Sequence, residues 1–127
     1  MKVFIVAACL SGSILPAYAV YTDPISPTQA LANIGGCVTV EGHATLTSAT
    51  GRLGMQLTLD DGNTQLVGFI ATPASFTELS SLDGQTVDLT GVIQVDYGKP
   101  EIELNSPDYV WAAGAKPDGL ITCQNSG

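Results

Sequence analysis

VTVEGHATL, residues 38–46, decides the fold. Val38, Val40, Gly42, Ala44 and Leu46 fall on one side, and Thr39, Glu41, His43 and Thr45 on the other. A period of two with one greasy side predicts a half-buried strand. Gly42 sits on the inner side, where a missing side chain permits a sharp bend or bulge. The same period continues downstream. Leu53, Met55, Leu57 and Leu59 are expected inward, with Arg52, Gln56, Thr58 and Asp60 outward. Asp60-Asp61-Gly62-Asn63 is a hairpin turn, and QLVGFIA, residues 65–71, is the third ribbon. In the fourth, Val87, Leu89, Gly91, Ile93 and Val95 are expected inward, and Asp88, Thr90, Gln94 and Asp96 outward. Tyr97-Gly98-Lys99-Pro100 turns the chain into a fifth ribbon, residues 101–105, with Ile102 and Leu104 inward.

Two short helices are expected around these ribbons. Ser26-Pro27-Thr28-Gln29 reads as a capping box with proline at the first helical position. It places Ala30, Leu31 and Ile34 on one face before Gly35-Gly36 ends the helix. Ser75-Phe76-Thr77-Glu78 is a second capping box, between the third and fourth ribbons. Five twisted ribbons cannot cheaply leave their edges open, so closure into a small barrel is expected, with the second helix plugging one end.

Upstream, MKVFIVAACLSGSILPAYA has the plan of a secretory signal: Lys2, an apolar stretch, and Ala17-Tyr18-Ala19 as the cleavage site. Val6-Ala7-Ala8-Cys9 offers a competing reading, a lipobox that would lipidate Cys9. The domain plan is therefore a signal over 1–19, an arm and short helix over 20–36, the barrel over 37–111 and a tail over 112–127. The product is expected in the periplasm or outside the cell, with no membrane span. Of the three cysteines, cleavage would leave Cys37 and Cys123, which an exported chain is expected to join. In the chain-entropy model a bridge closing so long a loop is worth about 4–5 kcal/mol.

Composition narrows the function. The 127 residues are 45% hydrophobic and 13% charged, with 4 Lys+Arg against 12 Asp+Glu and a net charge of −8. Such a surface repels phosphates, which argues against nucleic acid and anionic membranes as partners. One His and three Cys leave little room for a metal cage, and neither cofactor nor metal is expected. No G-x-S-x-G, P-loop or zinc spacing occurs, so the chain is read as a non-enzyme without catalytic residues.

The ribbon order and several matched positions resemble a known family. Gly84, Val87, Leu89 and Gly91, then Pro100, Ile102, Leu104 and Pro107, are similar to the last two strands of many bacterial OB domains. Val38, Val40, Gly42, Leu57, Leu59 and Asp60-Asp61-Gly62 fit the first half. Over residues 37–111 the chain resembles small periplasmic bacterial OB-fold domains and OB domains of the anticodon-binding type. The resemblance implies an all-β fold, a five-stranded OB-fold Greek-key barrel with a short helix between strands 3 and 4. It also implies a binding module for a protein or a small or saccharide ligand, held on strands 1–3 and their loops. The alternative is a single-stranded nucleic-acid-binding OB domain. Such domains present bases and aromatics on strands two and three, where this chain offers Arg52 and Phe69.

The ligand-face candidates are Arg52, Gln56, Phe69 and Tyr97. Tyr97, Tyr109 and Trp111 could form an aromatic patch for a sugar or base, but Tyr109 and Trp111 are better read as capping the core. Glu41 with His43 is read as a hydrated strand face rather than a proton relay or half a metal site. Asp60, Asp61 and Asn63 are read as turn chemistry rather than a calcium loop. Glu101 with Glu103, and Asp88 with Asp96, are read as hydrated surface rather than hydrolase acids.

Overall fold

The computed structural model describes residues 19–20, 23–115 and 121–122. The signal segment, Cys9 and Cys123 lie outside these. In chain order the elements are β1 (Ala19–Val20), α1 (Pro27–Ala30), β2 (Cys37–Ser48), β3 (Met55–Asp60), β4 (Gln65–Ile70), β5 (Thr86–Val92), β6 (Gln94–Asp96), β7 (Lys99–Glu103), β8 (Val110–Ala112) and β9 (Ile121–Thr122). The expected all-β class is observed. Strands β2 to β8 form one seven-stranded mixed sheet in the order β6-β7-β4-β3-β2-β5-β8, and β1 pairs with β9. No helix among the described residues is long and apolar enough to cross a membrane.

The long strand β2 organises the sheet. Its first half, from Cys37 to His43, pairs antiparallel with β5, and its second half, from His43 to Ser48, with β3. The switch of partner falls beside Gly42. A Cβ there would sit 3.1 Å from the Asp60 amide nitrogen and 3.1 Å from the Leu59 Cβ, so only glycine lets β3 approach this closely. β4 pairs antiparallel with β3 and parallel with β7. Inward positions meet in one core, built from Val40, Ala44, Leu57, Leu59, Leu66, Ile70, Val87, Leu89, Ile93, Ile102 and Leu104.

The first helix starts as its sequence dictates. Gln29 N–H donates to Ser26 Oγ at 3.1 Å, and Ser26 N–H donates to Gln29 Oε1 at 2.9 Å. It lasts one turn and tightens into a 3-10 turn over Leu31–Asn33. Ala30 is buried, but Leu31 and Ile34, expected beside it, are exposed, because the tighter turn rotates them off the buried face. The second expected helix is replaced by two 3-10 turns, Pro73–Ser75 and Leu79–Leu82. Phe76 is extended, so Ser75 cannot cap the turn that follows. Ser81 Oγ instead donates to the Glu78 carbonyl at 2.7 Å, a local bond that competes with helix propagation. Phe76 and Leu79 nevertheless enter the core.

Five inward or outward assignments on the ribbons are corrected. Leu53 is 91% exposed, since the strand begins only at Met55. Val95 is exposed because β6 runs beyond the core into its hairpin. Thr39, Asp88 and Thr90 are buried on the side expected to face water. Val110–Ala112 adds to the β5 edge beside Asp88, and Thr90 Oγ1 lies 2.8 Å from Thr39 Oγ1.

The Asp60–Asn63 stretch is a turn whose acids are occupied. Asp61 Oδ1 accepts from the Asn63 and Thr64 amides at 2.9 and 2.8 Å. Its Oδ2 accepts from the Thr28 amide and hydroxyl at 2.9 and 2.6 Å, tying helix α1 to the hairpin. Cys37, opening β2, is disulfide-bonded.

Candidate ligand cleft

The loop between β2 and β3 bends at Gly51 and Gly54, both at positive φ, and closes when the Ala49 amide donates to the Gly54 carbonyl at 3.0 Å. Arg52 therefore leaves the strand position expected of it and folds back over the outer side of the sheet. Its guanidinium carbon lies 3.6 Å from the centroid of the Phe69 ring, a cation–π stack. Arg52 Nη2 donates to Glu101 Oε1 and lies 3.6 Å from Asp96 Oδ2. Glu101, read from sequence as hydrated surface, is 5% exposed: it is roofed by this arginine. Burial pushes the Glu101 carboxyl up, Arg52 pulls it back down, and Asp96 and Glu103 add to the rise.

Beside this cluster lies a cleft of about 550 Å³, lined by Thr50, Arg52, Gln56, Val67, Asp96, Tyr97, Lys99 and Glu101, with Gly51 at its edge. All four sequence-derived candidates come together here: Arg52, Gln56 and Tyr97 line the cleft, and Phe69 lies beneath the guanidinium. Gln56 and Phe69 are register partners across β3 and β4. Tyr97 is 95% exposed and sits at φ +51, the left-handed region that a bulky residue rarely occupies. The floor thus carries acid, amide and cation, and the hairpin tip holds an aromatic ring in water. Such a mixture can orient a polar ligand by hydrogen bonds while the ring covers an apolar face.

Asp96, Lys99 and Glu101 were not singled out as ligand residues. Glu101 alternates with Ile102 on the fifth ribbon and so read as surface; only the returning loop reveals that it is covered. Tyr97, Tyr109 and Trp111 do not share one patch. Tyr97 lies at the cleft, whereas Trp111 is paired with Asp88 and Tyr109 packs on the core. His43 is exposed on the same side of β2 as Glu41. Among the described residues no three His, Cys, Asp or Glu side chains gather as metal ligands would. No protein-family model matches the chain, and no curated protein matches it.

Proposed function

We propose that this chain is an exported, non-enzymatic binding module built on a five-stranded OB barrel, with a small saccharide or similarly polar ligand held in the Arg52 cleft. The observation that carries this proposal is the cleft itself, where an exposed, backbone-strained Tyr97 stands beside Gln56, Lys99 and the Arg52–Glu101–Asp96 cluster. The positive φ of Tyr97 and Gly98 belongs to the tight hairpin that carries the ring to the cleft rim.

The barrel part of the proposal rests on pairing. β5 and β6 are separated by Ile93 alone, whose backbone bonds to Gly35 and Gly36. If they count as one bent ribbon, the ladders run first, second, third, fifth, fourth and back to first, with the third and fifth parallel. That circuit supports an OB barrel. The cleft then falls on strands two and three and the two loops that OB domains use for oligosaccharides and oligonucleotides. The sugar is favoured over the nucleic acid because Arg52 is already neutralised by two acids. Export and a Cys37–Cys123 bridge complete the proposal.

The test is a heteronuclear NMR titration of the labelled chain with cellotetraose, chitotetraose and a fifteen-nucleotide oligothymidylate at low salt. A saccharide is expected to shift Arg52, Gln56, Phe69 and Tyr97, and Tyr97→Ala to weaken it about tenfold. Shifts with the oligonucleotide alone, fading with salt, would transfer the cleft to the nucleic-acid reading. No response at these residues to any probe would remove it as a binding site.

A further inference from the structure

On strands β2, β5 and β8, two acids and an indole stand in a row. Glu41 and Asp88 are register partners across β2 and β5, and Asp88 and Trp111 are register partners across β5 and β8. Directly paired residues on neighbouring strands present their side chains to the same side of the sheet. Asp88 is 3% exposed and Trp111 8%. Asp88 Oδ1 and Trp111 Nε1 are each buried without a hydrogen-bond partner, although one is an acceptor and the other a donor. A small movement of a three-residue strand would join them.

The surroundings supply no compensating ion pair. Both ion pairs among the described residues belong to Arg52, which is engaged with Glu101 and Asp96. On β2 the other titratable group of this side is His43, opposite Thr86. On β5 the flanking residues are Thr86 and Thr90. β8 contributes Trp111, and the turn before it, Pro107–Tyr109, carries the exposed Asp108. The arm bridging β2 at Ile25 carries the exposed Asp23. β7 meets β5 through Ile102, which faces Gly91, and its charged residues are Lys99, Glu101 and Glu103.

Asp88 is buried and Glu41 half-buried, and burial beside a facing acid disfavours the ionised Asp88 carboxyl. We propose that Glu41 and Asp88 form a pH-operated latch across the rung between β2 and β5, with Trp111 beside it as the group that senses its charge. In the closed state the Asp88 carboxyl keeps its proton and donates it to Glu41. Above neutrality the proton passes to solvent base. Two like charges then face each other across the rung between β2 and β5, and that rung loosens. Burial first, and the facing Glu41 second, push the Asp88 carboxyl up to about 7. Its folded form therefore holds the proton more tightly than its unfolded form. The latch's stabilisation is complete below the ordinary aspartate value of 3.8 and is lost as pH rises through about 7.

Trp111 is the only tryptophan, so indole emission reads the latch directly in the full chain. Titration from acid to alkali is expected to give an emission transition with a midpoint near 7. Asp88→Asn abolishes the transition, Glu41→Gln lowers its midpoint by about one pH unit or more, and His43→Gln leaves it in place. An unresponsive parent, a transition that survives Asp88→Asn, or one that vanishes with His43→Gln overturns the latch. Should Asp88→Asn fail to fold, an unmoved midpoint in Glu41→Gln overturns it equally.

Discussion

Arg52 serves three neighbours at once: it stacks on Phe69, covers Glu101 and reaches Asp96. Its removal takes from Glu101 both its cover and its guanidinium partner. Arg52→Ala is therefore expected to cost about 1–3 kcal/mol in urea unfolding. The loss should be larger at pH 8 than at pH 4.5, because a carboxyl already pushed up by burial must ionise unaided at the higher pH. Asp61 behaves oppositely. Bonds from the Thr28 side chain and from the Thr64, Asn63 and Thr28 amides hold its carboxyl far below the usual range. Its stabilisation is present above the ordinary aspartate value and is lost as pH falls through the strongly acidic range. Asp61→Ala should lower the melting temperature at pH 7, with the gap from the parent closing in strong acid.

Strands and turns differ in how plainly their sequences announce them. The five ribbons were legible because each alternates greasy and polar residues against a single core, and alternation has one meaning there. The first helix was legible through Ser26 and Gln29, whose reciprocal bonds are local. Ser26→Ala is expected to cost about 1 kcal/mol, read by urea unfolding. Ser75 and Glu78 carry the same letters without the same outcome. Phe76 is drawn into the core, which extends the backbone between them and breaks the box. Gly42 marks the point where β2 exchanges partners. Gly42→Ala is expected to destabilise by about 1–3 kcal/mol in the same assay, since the added methyl meets backbone that cannot move aside.

Taken whole, the described residues build a seven-stranded mixed sheet with one core, and a disulfide stands at the start of its organising strand. Cys37→Ser should lower stability by about 2–4 kcal/mol, checked by melts with and without reductant, the parent falling to the variant's level when reduced. The period of the chain alone determined the all-β class and the inner residues of most ribbons, because these follow from neighbours in sequence. Burial on the outer side was decided only by tertiary structure. Glu101 is covered by a loop that begins some fifty residues earlier, and Asp88 by a strand that arrives some twenty residues later. Alternation states which side of a ribbon a residue takes; what comes to lie over that side depends on distant chain, and no local pattern encodes it.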